Sequence, residues 1–398
     1  MPTMNRIMVF GILIYSIRML IGATSTLYIL SKGLTLTDIG LLKAYQALII
    51  LLFDIPLAYI ADKYSRKLSL ILSTIFASVW LFLMAIGESI ELFYIAETCN
   101  ALSIALFSGA FIAYLIDNSH IDSKNKNQIK KILSKFSKYQ HLGMALFSIA
   151  GAAFITINSP VVWFISATLT FSLVIFGFLI LPKDCKTPPI AEKTKIYDDI
   201  KNMLSIMKNN GLIIPTSLGI VSASFFYQLL IQFWQPLSFS NIIEKPQDGF
   251  IFGIILFFIL MCQSLASYIS EKVERIESVI IIGNTLNVIS IIVFLYCLNS
   301  DALLFPIAII LMFLANKLIS ISYSSIFHSL VSSEYRTTMD SGISSISRLV
   351  LVLFLPAISF SINFFGWFTI IVPILISILL QYFDRNISMK NIIMKGFQ

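Results

Sequence analysis

The chain is poor in charge. Charged residues fill 12% of its 398 positions, against about 25% in an ordinary soluble domain. That supply cannot coat a soluble surface, which disfavours a soluble enzyme or binding domain of this length. With 17 glycines and 12 prolines, it is no collagenous or low-complexity chain. Its four cysteines, Cys99, Cys185, Cys262 and Cys297, form no Cys-x-x-Cys pair. Neither a zinc centre nor a disulfide framework is expected. His120, His141 and His328 are scattered without metal-ligand spacing, so no metal and no cofactor are expected. A phosphate-binding glycine loop and a nucleophile motif are also missing, so the chain reads as no enzyme and as one that does not hydrolyse ATP. The apolar run after Arg6 reaches about Leu30, longer than the roughly 7–15 residues of a cleavable leader's apolar region.

Apolar length is what the chain has. Hydrophobic residues make up 57% of it, and stretches of about 20 recur throughout. They are read as Ile7–Leu30, Asp38–Ile60, Leu68–Ile86, Phe93–Ile116, Phe136–Ile157 and Val161–Leu181, then Leu212–Phe239, Gly249–Ile269, Val279–Leu298, Leu303–Leu330, Gly342–Phe364 and Trp367–Phe383. The expected fold is an all-α membrane protein of twelve transmembrane helices in two six-helix pseudo-symmetric halves. The first half covers residues 1–181, a cytoplasmic linker 182–210, the second half 211–383 and a tail 384–398. With the N-terminus inside, 22 of the 28 Lys and Arg fall on inner segments and only Lys32 and Lys245 on outer loops. This bias sets both termini in the cytoplasm. The net charge of +7 is thereby a topological signal, and no nucleic-acid partner is needed to explain it. Frequent Ile, Lys and Asn fit an AT-rich bacterial genome, so the membrane is read as a bacterial inner membrane.

Two inner loops repeat. Tyr59-Ile60-Ala61-Asp62-Lys63-Tyr64-Ser65-Arg66 follows the second span, and Tyr268-Ile269-Ser270-Glu271-Lys272-Val273-Glu274-Arg275 follows the eighth. Both read Tyr-Ile-x-acid-Lys-x-x-Arg. A parallel repeat of six-helix halves is a transporter architecture.

These residues carry a resemblance. Asp62-Lys63-Tyr64-Ser65-Arg66-Lys67 resembles the loop 2–3 signature of the major facilitator superfamily, Gly-x-x-x-Asp-Arg/Lys-x-Gly-Arg-Arg/Lys, with Ala58 and Ser65 standing where the signature has glycine. Asp38-Ile39-Gly40 with Asp54-Ile55-Pro56, Ser108-Gly109-Ala110 ending at Asp117, and Arg336-Thr337-Thr338 with Ser341 are similar to bacterial twelve-helix drug/proton antiporter-type exporters. The resemblance implies that spans 1, 4, 7 and 10 line a central cavity. It also implies a cytoplasmic gate in which Arg66 bridges Asp62 and Asp117, Asp62 faces the start of span 11 near Arg336, and Glu271 and Arg275 form the second half's copy. A monomer is the family's default state.

Six charges fall in the interiors of spans, beyond the first three residues: Arg18, Lys43, Asp54, Glu97, Lys317 and Arg348. At a helix centre each costs about 2.5–3.5 kcal/mol on insertion scales, so each should meet a partner or a wet cavity. Arg18, Glu97 and Lys317 fall on spans 1, 4 and 10, as cavity placement requires. Lys43 is read as snorkelling at the outer mouth. Tyr15 and Arg18, Glu97 and Asn100, Gln228, Gln232 and Gln235, and Lys317 with Ser320 recur at three- or four-residue spacing, hence on single helix faces. The candidate substrate-binding set is Tyr15, Arg18, Asn100, Gln228, Gln232, Trp234, Gln235 and Lys317. Packing and interhelical hydrogen bonds are the alternative for the small and polar positions, and a structural ion pair with Glu97 is the alternative for Arg18 and Lys317. Glu97 is the candidate proton-coupling residue, with Asp54 as runner-up: desolvation favours its neutral form and a nearby Arg18 or Lys317 its charged form.

The sequence therefore reads as a secondary transporter coupled to protons, exporting an antibiotic-like or toxic small organic compound, peptidic or nucleotide-like among the options. Two cations against one carboxylate favour an anionic or zwitterionic substrate. Proton-coupled uptake of a nutrient or metal-chelating metabolite is the first rival, and a non-transporting membrane sensor or assembly factor the second.

Overall fold

In the computed structural model the described residues are 3–119, 126–153, 159–183, 213–242, 249–272, 276–297, 304–330 and 336–366, with single positions between 369 and 379. Among them every regular element is an α-helix. These are α1 (Thr3–Arg18), α2 (Ser25–Ser31), α3 (Leu36–Lys63), α4 (Arg66–Ile86), α5 (Ile90–Asp117), α6 (Lys126–Ala153) and α7 (Val161–Ile180). They continue as α8 (Ile213–Ile242), α9 (Gly249–Lys272), α10 (Ile276–Cys297), α11 (Phe305–Leu330) and α12 (Arg336–Phe365). Nine of these helices are long and apolar enough to cross a bilayer among the described residues. The expected linker and tail, and most of the twelfth span, lie outside them.

Two helices depart from the expected spans. The first span is broken: α1 stops at Arg18, residues 19–24 form turns, and α2 resumes at Ser25. The turns are closed by i to i+3 bonds, with Met19 N donating to Ser16 O at 2.9 Å and Gly22 N to Met19 O at 3.1 Å. Gly22 and the β-branched Thr24 are weak helix formers, and their residue types left the break invisible in a hydropathy run. The fifth span, read from Phe136, starts ten residues earlier at Lys126. Its extra turns carry Lys126, Lys130, Lys131 and Lys135, and helix propensity rather than apolarity extends them.

Local chemistry sets the other ends. Thr35 and Asp38 form a reciprocal capping box on α3. Ser65 occupies a glycine position of the signature, yet its φ of −169° is extended backbone, and its side chain accepts from Leu68 N at 3.0 Å. The turn therefore needs no glycine, and serine caps α4.

The chain forms two compact units. The first comprises Met1–Thr187 with Gln235–Ser264 and Leu355–Phe360. In it α4 packs on α5 and α7, α3 on α5, and α1 on α6 and α7. Its core runs through Phe10, Leu70, Leu81, Phe111, Phe136 and Trp163. Glycines permit the closest crossings: a Cβ on Gly151 would strike the backbone of Leu20, and one on Gly253 the side chain of Ala152. The second unit comprises Pro188–Trp234, Leu265–Phe354 and Ser361–Gln398. There α10 packs on α11 with Gly283 against Ile319, and Asn316 Nδ2 donates to Ala223 O of α8 at 3.0 Å. Outward faces remain apolar, as at Phe171, Ile175 and Leu179 of α7, which is 78% exposed at Leu179. These are lipid-facing surfaces.

Two substitutions test this packing. Ser65→Ala should cost about 1 kcal/mol through the lost cap, and Ser65→Gly only a few tenths, read as apparent melting temperature of the purified protein. Gly151→Leu should prevent recovery of folded protein on size exclusion, because backbone rather than a flexible side chain stands in the way.

Candidate functional site

The charged residues of the first unit converge. α3 and α5 start at Leu36 and Ile90, and their side chains meet at offsets of 54 or 53. Lys43 Nζ donates to Glu97 Oε1 at 2.7 Å, and Ser108 Oγ donates to Asp54 Oδ1 at 3.1 Å. Tyr45 Oη and Thr98 Oγ1 lie 3.0 Å apart. Each member of the ion pair lies seven residues into its helix, about 10 Å along the axis from the helix start. Asp54 and Ser108 lie eleven residues further on, about 16 Å along.

Glu97 is 1% exposed and both its oxygens are used. Lys43 takes Oε1, and Asn100 Nδ2, one helical turn along α5, donates to Oε2 at 3.1 Å. Asn100 in turn accepts from Arg18 Nη2 through its Oδ1. The Arg18 guanidinium lies 4.8 Å from the centre of the Trp80 ring, a cation–π contact. The result is a continuous network, Lys43–Glu97–Asn100–Arg18–Trp80, joining α1, α3, α4 and α5. It holds two cations and one carboxylate. Tyr15, one turn before Arg18, packs edge-on against Phe107 with ring centres 5.4 Å apart.

The sequence reading missed two members. Lys43 does not snorkel; it is the direct partner of Glu97. Trp80 lies on the third span, which is not among the spans 1, 4, 7 and 10 expected to line the cavity. The equal depth of Lys43 and Glu97 in their helices was the signal available for the first. No sequence signal marked the second.

Nearer the N-terminal end of α1, Arg66 pairs with Asp117, as the gate expectation has it. Lys67 Nζ donates to Leu181 O at 2.7 Å and to Phe178 O at 3.1 Å at the end of α7. Asp62 is the penultimate residue of α3, but its side chain lies outside the described residues, as do the side chains of Glu271 and Arg336 and all of Arg275. At 16% and 38% side-chain exposure, the Arg66–Asp117 pair contributes no more than about 1 kcal/mol.

In the second unit, Gln228 is exposed and Gln232 buried on α8. Gln232 Nε2 finds no acceptor among the described residues. Trp234 is 1% exposed, a packed residue. Tyr227 meets Phe313 of α11 edge-on at 5.8 Å. One turn beyond Phe313, Lys317 is half-buried and forms no ion pair or hydrogen bond among the described residues. Gln235, assigned by sequence to the substrate set, instead has its amide bound to the backbone of the first span in the first unit. Among the described residues no three His, Cys, Asp or Glu side chains group as a metal site.

Against known proteins, the model of the Major Facilitator Superfamily matches residues 7–243. The chain belongs to this superfamily, and it is a multi-pass membrane protein of a transporter family rather than an enzyme. The uncharacterized MFS-type transporter YxaM of Bacillus subtilis (strain 168) is 26% identical over 259 residues, which span 63% of this chain and 62% of that one. The match thus covers less than two thirds of that relative's length. Two structures of the nucleoside transporter NupG superpose with TM-scores of 0.77 and 0.73, at 15% and 14% identity, over 96% of this chain and 98% of theirs. A bacterial homolog of the human lysosomal transporter Spinster, inward-facing and occupied, gives 0.70 at 13% identity over 96% of this chain and 94% of that one. At such identities the likeness is one of fold.

The ion pair yields a double-mutant cycle. Lys43→Ala should destabilise by about 3 kcal/mol or more, since it strands a buried carboxylate. Adding Glu97→Gln should restore most of that loss. Thermal unfolding of the purified single and double variants measures the coupling; additive losses would break the assignment.

Proposed function

We propose that the chain is a secondary transporter working by alternating access, with both termini in the cytoplasm of a bacterial inner membrane, acting as a monomer on a small organic substrate. The observation that carries the substrate class is the charge of the buried network. Arg18 and Lys43 oppose only Glu97, leaving one uncompensated positive charge in a low-dielectric setting. An anionic group on the substrate relieves it. Lys317, without a partner among the described residues, supports the same sign in the second unit. Gln228 and Gln232 supply amides, and Tyr15 a flat apolar face, for the remainder of the ligand. A carboxylate- or phosphate-bearing compound fits, zwitterionic or anionic, and a lipophilic cation does not.

Coupling follows from linkage at Glu97. A proton on Glu97 frees Lys43 from its partner. A substrate amine seated on Glu97 competes with that proton, and competition for one site gives antiport. Export of a zwitterionic antibiotic-like compound, peptidic or nucleotide-like, is the leading reading. A purely anionic substrate would instead bind Lys43 best when Glu97 is protonated. Proton and substrate would then travel together, so the network's net charge favours proton-coupled uptake as the second reading. Asp54, held by Ser108 among the described residues, is the alternative proton carrier. The neighbour named as a nucleoside transporter adds nucleoside-like compounds to the test set.

Transport in inside-out vesicles with an imposed proton gradient tests this. A zwitterion should accumulate when the lumen is acid, and Glu97→Gln should remove the dependence on the gradient. Accumulation of a simple anion only in right-side-out vesicles with acid outside would select uptake. Transport of lipophilic cations unaffected by anionic competitors would overturn the charge argument. Arg66→Ala should slow turnover at unchanged expression.

A further inference from the structure

The interruption of the first span coincides with one inserted side chain. In a continuous helix the N–H of residue 26 would donate to the carbonyl of residue 22, four positions back. Here that bond is replaced by a bridge. Gln235 Nε2 donates to Gly22 O at 2.7 Å, and Gln235 Oε1 accepts from Thr26 N at 2.8 Å. The amide has the one donor and one acceptor needed to satisfy both halves of the missing bond. The bridge is buried, with Gln235 2% and Thr26 6% exposed. Thr24, at the cap position of α2, makes no side-chain cap bond, so Gln235 caps α2 from another helix. A side chain inserted into the helical ladder is a known physical cause of a break.

The bridge lies at one end of the first unit. Counted from the N-terminus of α1, Gly22 and Thr26 belong to the far end, where α3 begins and where α8 and α12 finish. Other close approaches gather there. Gly22 faces Leu256 of α9, Gly40 of α3 faces Ser359 of α12, and Gly253 of α9 faces Ala152 of α6. The far ends of α8, α9 and α12 are thus packed on α2, α3 and α6 in one compact unit. This is a closed far end.

We infer that Gln235 is a latch residue that positions the broken first span while the far end is closed. Withdrawing Gln235 does not orphan the two backbone groups, because Thr26 N can then donate to Gly22 O and α1 can run on into α2. The chain has two hydrogen-bonded states at this point: broken and bridged, or continuous and unbridged. Opening of the far end exchanges one for the other. This rests on the alternating-access reading but not on the substrate's identity or the coupling ion.

Distance measurement between spin labels tests it in the full-length protein in lipid nanodiscs. Cys99, Cys185, Cys262 and Cys297 are first replaced by serine, and labels are placed at the exposed Ser31 and Phe250. The unsubstituted bridge should show a dominant short distance. Gln235→Ala should raise the ratio of long to short populations roughly tenfold, the equivalent of one to two net hydrogen bonds. Gln235→Glu keeps the acceptor and loses the donor, and should raise the ratio a few-fold. It is close in size to the original, so it remains informative where Gln235→Ala does not fold. A folded Gln235→Glu or Gln235→Ala protein with an unchanged distribution overturns the latch. A shifted distribution in a protein that transports none of the test compounds would leave the latch standing and remove the substrate reading.

Discussion

Placing an ionised carboxylate at 1% exposure inside a bilayer-spanning helix costs more than any one packing contact returns, and much of the first unit is arranged around that constraint. Glu97 needs a cation, and α3 supplies Lys43 because it runs parallel to α5 at equal depth. Its second oxygen needs a donor, and Asn100 supplies one from the next turn of the same helix. Asn100 then has an acceptor left over, which Arg18 uses. The register that brings Lys43 to Glu97 also brings Asp54 to Ser108, since both pairs share the offset of 54. One alignment of two helices therefore fixes the positions of both membrane-embedded carboxylates.

The break in the first span answers a second constraint. A helix interior tolerates no orphaned N–H or C=O in an apolar setting. Within residues 19–24 the N–H groups of Met19, Leu20, Gly22 and Thr24 are satisfied by bonds three residues back. A further pair, Gly22 O and Thr26 N, is served by Gln235. Small residues make this possible sterically: Gly151 of α6 lies on the backbone of Leu20 within the break, an approach that any Cβ would forbid.

The fold was largely legible because hydropathy runs and the distribution of Lys and Arg report on the bilayer, an environment that acts along the whole chain. Helix ends depend on caps such as Thr35 with Asp38, which a hydropathy run does not register. Two features escaped for a common reason. Turns and helix share the apolar composition of residues 19–24, so the break leaves no trace in a hydropathy window. Lys43 was misjudged because its partner depends on which helices are neighbours, and single-helix periodicity carries no such information. The register shows only once the helix starts are known: Leu36 and Ile90 differ by the same 54 residues that separate Lys43 from Glu97, whereas the spans read from hydropathy start at Asp38 and Phe93. Gln235 was legible as a buried amide, but polar character at helical spacing does not distinguish a ligand contact from a bond to a neighbouring backbone.

Arg18 connects the charged network to the break. It is the last residue of α1, at the carbonyl end of a helix, where the backbone dipole favours a cation, and its guanidinium reaches Asn100 and Trp80. That terminus exists only while the first span is interrupted. In the proposed cycle, release of Gln235 lets α1 continue through residues 19–24, and Arg18 changes from a helix-terminal to a helix-interior residue. It would then lose the field of that helix end. The cost of leaving Arg18 and Lys43 against a single carboxylate rises in that state, and with it the benefit of an anionic group nearby. On the two proposals together, a substrate anion and the inserted amide would act on the same short segment from opposite sides, the amide favouring the broken form and the anion offsetting the charge of the continuous one. Coupling between the proposed charge site and the far-end closure would then need no relay beyond the few residues from Arg18 to Thr26.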